Sequence, residues 1–198
     1  SYFTRVFSHY LRSNQDEVVL FEAGRTGFDP SLVKTFRMQC EPVKTAGLSE
    51  FQLIQAEKDN DREEMSERRK LTDRICELLI VRRDEQESHL LSSMATLRNI
   101  LQQQNRGNVD VYFVTDLIED GDVRSFSNST ISSKDEAEGL ANHDVAALTE
   151  QFGSTEWLVG VHQLKVVTPS CFGSGVKRED FGFIYHYWQV IFASLGAK

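Results

Sequence analysis

The chain has 198 residues, enough for one domain with a sizeable core, and it reads as a single domain carrying an extended insertion. Its 22 Lys and Arg against 30 Asp and Glu leave a net charge of −8, which argues against broad attraction to nucleic acid or an anionic membrane and suits a cation or a basic partner better. Cys40, Cys76 and Cys171 are odd in number and form no CxxC pair, so they read as buried small hydrophobes rather than as a disulfide framework or a thiolate metal site.

In chain order, Phe3, Val6, Phe7, Tyr10 and Leu11 recur at helical spacing and predict an opening amphipathic helix of about thirteen residues. Residues 17–23, EVVLFEA, read as a strand. Gly24, Gly27 and Asp29-Pro30 then mark a turn, and residues 32–40, LVKTFRMQC, alternate as a second strand, with a short helix over LVKTF as the alternative. A loop containing Pro42 and Gly47 leads to an extended charged helical segment at about residues 50–106. Its first helix carries Leu71, Ile75, Leu78 and Leu79 on one face, and its second carries Leu90, Met94, Leu97 and Leu101 and stops near Gly107. The basic residues of these helices alternate with acids rather than with aromatics, the pattern of a solvated face.

Residues 109–122, VDVYFVTDLIEDGD, are the stretch on which a function centres. Val111–Val114 is an unbroken apolar run, as in a strand buried on both faces, and it delivers Asp116 to the carboxyl edge of a sheet, where open α/β sheets bind ligands. A carboxylate there must reach water, be paired or hold a cation, and a hard cation such as Mg2+ takes oxygen ligands of this kind. Capping of a nearby turn is the plainer alternative for Asp116. Glu119, Asp120 and Asp122 follow at once and read as a solvated acidic turn. The Ser-rich residues 123–133 form a loop, Ala137, Ala141, Val145, Leu148 and Phe152 line a helix that Gly153 stops, and residues 157–167, WLVGVHQLKVV, read as a further strand. The last helix bears Phe181, Ile184, Tyr185, Trp188, Ile191, Phe192 and Leu195 and ends at Gly196. The five histidines never fall at an HxxxH spacing, and no serine sits in a GxSxG elbow.

This order predicts an α/β fold, a Rossmann-like, mostly parallel sheet with helices on both faces. Taken with the upstream helices and the closing YWQVIFASLGA, VDVYFVTDL resembles a von Willebrand factor A-like domain of the bacterial type, over nearly the whole chain. The resemblance implies a protein-interaction module rather than an enzyme, with Mg2+ held at the sheet edge and one coordination position open to an acidic group of a partner. Asp116 matches the family's metal-ligating aspartate, and Ser88, in ESHLLSSMATL, falls where the family has a Thr or Ser before an apolar helix. Two departures stand out. Leu117 replaces a glycine that often follows the aspartate, and the first strand with its D-x-S-x-S motif is missing, which implies that an upstream segment or another chain completes the sheet.

Two other functions fit the same residues. A metal-dependent hydrolase or nuclease would use Asp116, Asp120 and Asp122 as converging carboxylates. A scaffold with a degenerate metal site would make its partner contact through the charged helices at residues 58–83. The opening SYFTRVF begins in mid-helix, so upstream sequence is expected, and the compartment stays open between the cytoplasm and, with an upstream anchor, a periplasmic or membrane-tethered position. No stretch approaches the roughly 20 apolar residues of a spanning helix, so no direct membrane insertion is expected.

Overall fold

The computed structural model describes residues 4–7, 11, 16–21, 33–39, 45–80, 89–103, 109–121, 124–126, 130–154, 156–167 and 180–197. Contacts divide the chain into two compact units. One holds strands β1 (Glu17–Leu20) and β2 (Lys34–Arg37) and helix α1 (Glu50–Ile80). The other holds helix α2 (Leu90–Gln103), strand β3 (Asp110–Val114), helix α3 (Lys134–Phe152), strand β4 (Gln163–Val167) and helix α4 (Phe181–Ser194).

In the first unit β1 and β2 pair antiparallel, with Val18 opposite Phe36 and Glu17 opposite Arg37. The alternation read in LVKTFRMQC is that of a sheet with one wet face: Phe36 and Met38 are buried while Thr35 and Arg37 are exposed on the other face. An ion pair between Arg37 Nε and Glu17 Oε2 crosses the ladder. Leu11, Phe36, Met38 and Ile75 form the buried centre, with Val18, Leu20, Leu71, Leu78 and Leu79 packed around it. The i, i+4, i+7, i+8 spacing of Leu71, Ile75, Leu78 and Leu79 brings the carboxyl half of α1 onto the hairpin. Helix α1 starts at a reciprocal capping box. Gln52 N–H donates to Ser49 Oγ at 3.4 Å, and Gln52 Oε1 accepts the Ser49 backbone N–H at 2.9 Å.

In the second unit β3 and β4 run parallel, in register from Asp110 opposite Gln163 to Val114 opposite Val167, with α3 as the crossover between them. Ser133 caps α3 by accepting the Glu136 N–H, and Gly153, at φ 75°, closes it in the left-handed conformation with its N–H on Thr149 O. Helix α4 packs against α3 and buries Ile184, Tyr187, Trp188, Ile191 and Phe192. The Phe113 and Phe192 rings lie 5.0 Å apart, so the central strand and the last helix share one core.

The expected Rossmann-like sheet with helices on both faces is not what forms. Among the described residues the strands make two separate two-stranded sheets, one antiparallel and one parallel, within a chain dominated by helix. The physical reason is burial. Strands of a doubly wound sheet are covered on both faces, whereas β2 is exposed on one face, β4 is only half-buried throughout, and Val114 at the end of β3 is 39% exposed. The strand read over residues 157–167 is also shorter than expected. Its apolar first half is a turn, with Gly160 at φ 86°, that buries Trp157 and Leu158 without entering the sheet. Lys34–Arg37 is strand, so the alternative of a short helix does not form over the described Lys34–Phe36, and the part of the opening helix that is described spans residues 4–7. No helix among the described residues is long and apolar enough to cross a membrane.

Candidate functional site

Asp116 stands where the sequence places it, just beyond the carboxyl end of β3. The last rung of the parallel ladder is the Thr115 N–H on Val167 O at 3.2 Å, and the chain then leaves the sheet through two overlapping side-chain turns. Thr115 Oγ1 accepts the Leu117 N–H at 3.0 Å, and Asp116 Oδ1 accepts the Ile118 N–H at 3.1 Å. Leu117 sits at φ 65°, the left-handed region that costs a branched residue about 1–2 kcal/mol. Its backbone takes a conformation that a glycine would adopt without that cost. Two contacts hold it: the side chain is 1% exposed, and its carbonyl accepts the Trp188 indole N–H at 2.8 Å.

Glu119 and Asp120 are built into the loop, and the expectation of a solvated acidic turn is corrected at Glu119. Glu119 is 1% exposed, and its Oε2 accepts the Leu91 N–H at 2.9 Å, so the carboxylate closes the amino end of α2. Burial drives its pKa up to about 7 against the opposing hydrogen bonds from Leu91 and Leu90, and the charges of Asp120 and Asp144 add to the rise. Asp120 Oδ1 accepts the Ser125 hydroxyl at 2.5 Å, the two residues form an isolated antiparallel bridge, and the Phe126 N–H donates to Glu119 O at 2.8 Å. Gly121 passes so close to this pairing that a Cβ there would lie 2.5 Å from Glu119 Oε1 and 2.9 Å from His89 Nδ1.

Behind the loop lies a buried network that the sequence reading missed. Asp144 of α3 is 1% exposed and receives Arg124 through both oxygens, Nε at 3.0 Å and Nη2 at 2.8 Å. The Tyr187 hydroxyl donates to Oδ2 at 2.7 Å, and His143 Nδ1 lies 3.1 Å from Oδ1. Burial pushes the Asp144 carboxyl up, but the bonds from Arg124, Tyr187 and His143 outweigh it and leave the pKa below the usual carboxylate value. Burial, then the neighbouring Asp144 charge, pushes the Tyr187 hydroxyl well above its ordinary range, so it stays a neutral hydroxyl that can donate to Asp144. The signal was present in α3. Asp144 falls three residues after Ala141 and four before Leu148, on the apolar face.

Asp116 differs from these acids. It is half-buried, and no side chain bonds its carboxylate among the described residues. Burial raises its pKa, the Ile118 N–H draws it back, and the Asp120 charge raises it further. Ser88, the second expected ligand, and Asp122, the third acid of the hydrolase reading, lie outside the described residues. No group of three His, Cys, Asp or Glu side chains placed to hold a metal is found among the described residues.

No protein-family model, curated protein or solved structure matches the chain.

Proposed function

We propose that the chain is a non-catalytic protein-interaction module, with the turn after β3 as its ligand-facing edge and Asp116 as the carboxylate that takes a divalent cation there. The proposal keeps the interaction role that the resemblance implied and drops the doubly wound sheet.

One contrast carries it. Glu119, Asp120 and Asp144 are each committed to a donor of the fold elsewhere in the chain, whereas Asp116 is held only by backbone N–H groups of its own turn and left partly dehydrated next to a second acid. A cation relieves both the dehydration and the repulsion. Mg2+ is held by one or two carboxylates and keeps several waters, so a site built on Asp116 leaves positions for an oxygen ligand from a partner. The same contrast disfavours hydrolysis, because Asp120, the second acid of that reading, is already engaged by the Ser125 hydroxyl.

Calorimetric titration with Mg2+ and Mn2+ tests the reading. Binding heat lost in Asp116→Ala and kept in Asp120→Asn is expected. Absence of binding, or binding untouched by Asp116→Ala, overturns it.

A further inference from the structure

Helix α1 runs for 31 residues, yet only its carboxyl half is anchored in the core of its unit. The amino half, residues 50–67, carries seven acids against Lys58 and Arg62, a formal net charge of −5. It is held helical by its own side chains. Gln55 Nε2 donates to Asp59 at 3.0 and 3.1 Å, and Asn60 Nδ2 to Glu64 at 3.0 Å. Three large apolar side chains stand out from it into water: Phe51 at 78% exposure, Ile54 at 46% and Met65 at 59%.

These three are not scattered. With Lys58, Asp61 and Arg68 they fall at positions 51, 54, 58, 61, 65 and 68, the alternating three and four spacing of a heptad seam. Over 17 residues at 1.5 Å each, the seam is about 26 Å long. We propose that it pairs with the same seam of a second copy of this chain, antiparallel and about a twofold axis passing between residues 59 and 60. That one register places Ile54 opposite Met65 of the other copy, Lys58 opposite Asp61, and Phe51 opposite Arg68, each pair occurring twice by symmetry. Charge selects the direction. A parallel pair would stack Lys58 on Lys58, Asp61 on Asp61 and one acidic half on the other, whereas the antiparallel pair brings the start of each acidic half against the basic turn Arg68-Arg69-Lys70 of its mate. Arg68 is steadied for this by its Nε, which donates to Leu11 O at 2.5 Å, and leaves its stem for the Phe51 ring.

The seam uses none of the residues of the Asp116 turn, and its test does not depend on a cation. Sedimentation equilibrium of the full chain is expected to show the 22.6 kDa monomer passing to twice that mass as concentration rises. Lys58→Asp and Asp61→Lys, both at exposed positions, each set like charges across the seam and weaken self-association by about tenfold or more. An equimolar mixture of the two single variants restores opposite charges in both layers and associates again, as does the K58D/D61K double variant alone. A monomer at every concentration overturns the proposal. So do single variants that associate like the parent, or a mixture and double variant that fail to recover.

Discussion

The Trp188 indole N–H donates to the carbonyl of Leu117 at 2.8 Å, tying the last helix to the residue that follows Asp116. The bond fixes the one left-handed non-glycine residue among those described and with it the direction in which Asp116 leaves β3. Trp188→Phe keeps most of the ring but strands a buried carbonyl, so a loss of about 1–3 kcal/mol is expected in urea denaturation. Cation affinity at Asp116 should fall with it.

Gly121→Ala tests the packing between the acidic loop and α2. The added methyl meets Glu119 Oε1 at 2.5 Å and must push the carboxylate off the Leu91 N–H. Overpacking of this kind costs about 1–3 kcal/mol. Hydrogen exchange should show the gain in amide exposure at Leu91 first.

The Glu119 carboxyl gives a pH signature of defined sign. Its folded pKa is raised from 4.5 to about 7, so the folded protein binds the proton more tightly. The associated stability is complete below pH 4.5 and is lost as pH climbs through 7, by roughly 3 kcal/mol at most. Glu119→Gln should flatten the stability profile between those values and leave the variant at least as stable as the parent at pH 8.

Asp144 acts in the opposite direction and in a lower window. Its folded pKa is depressed, so its contribution is present above the ordinary 3.8 and disappears as pH falls through the folded value. Asp144→Ala leaves the Arg124 charge and the Tyr187 hydroxyl without their acceptor, and a loss of about 3–5 kcal/mol is expected. Thermal unfolding at neutral pH reads it, and Asp144→Asn should lose less because it still accepts from Tyr187.

Much of the local structure is legible in the sequence. The stripes Leu71, Ile75, Leu78, Leu79 and Leu90, Met94, Leu97, Leu101 mark the helices that form, and Gly153 ends α3 as read. The capping box Ser49–Gln52 and the Ser133 cap, with Glu136 reaching back to the Ser132 N–H, were also there to be read, and they place the starts of α1 and α3. What the sequence does not carry is pairing. EVVLFEA and VYFV each look like strands of one buried sheet, because an apolar run reports its own burial and not its neighbour. Glu119 and Asp120 are adjacent acids in one polar turn, and only the tertiary fold separates a helix-capping carboxylate from one bound to a serine. The position of Asp116 just beyond β3 was legible because a strand end is a local feature.

The central claim is that Asp116 is the carboxylate that holds a cation at the edge of the β3–β4 pair. Paramagnetic broadening by Mn2+ in the amide spectrum of the 15N-labelled protein addresses it residue by residue. Broadening centred on Thr115–Ile118, displaced by excess Mg2+ and absent in Asp116→Ala, is the expected result. Broadening centred elsewhere, or unchanged in that variant, contradicts it.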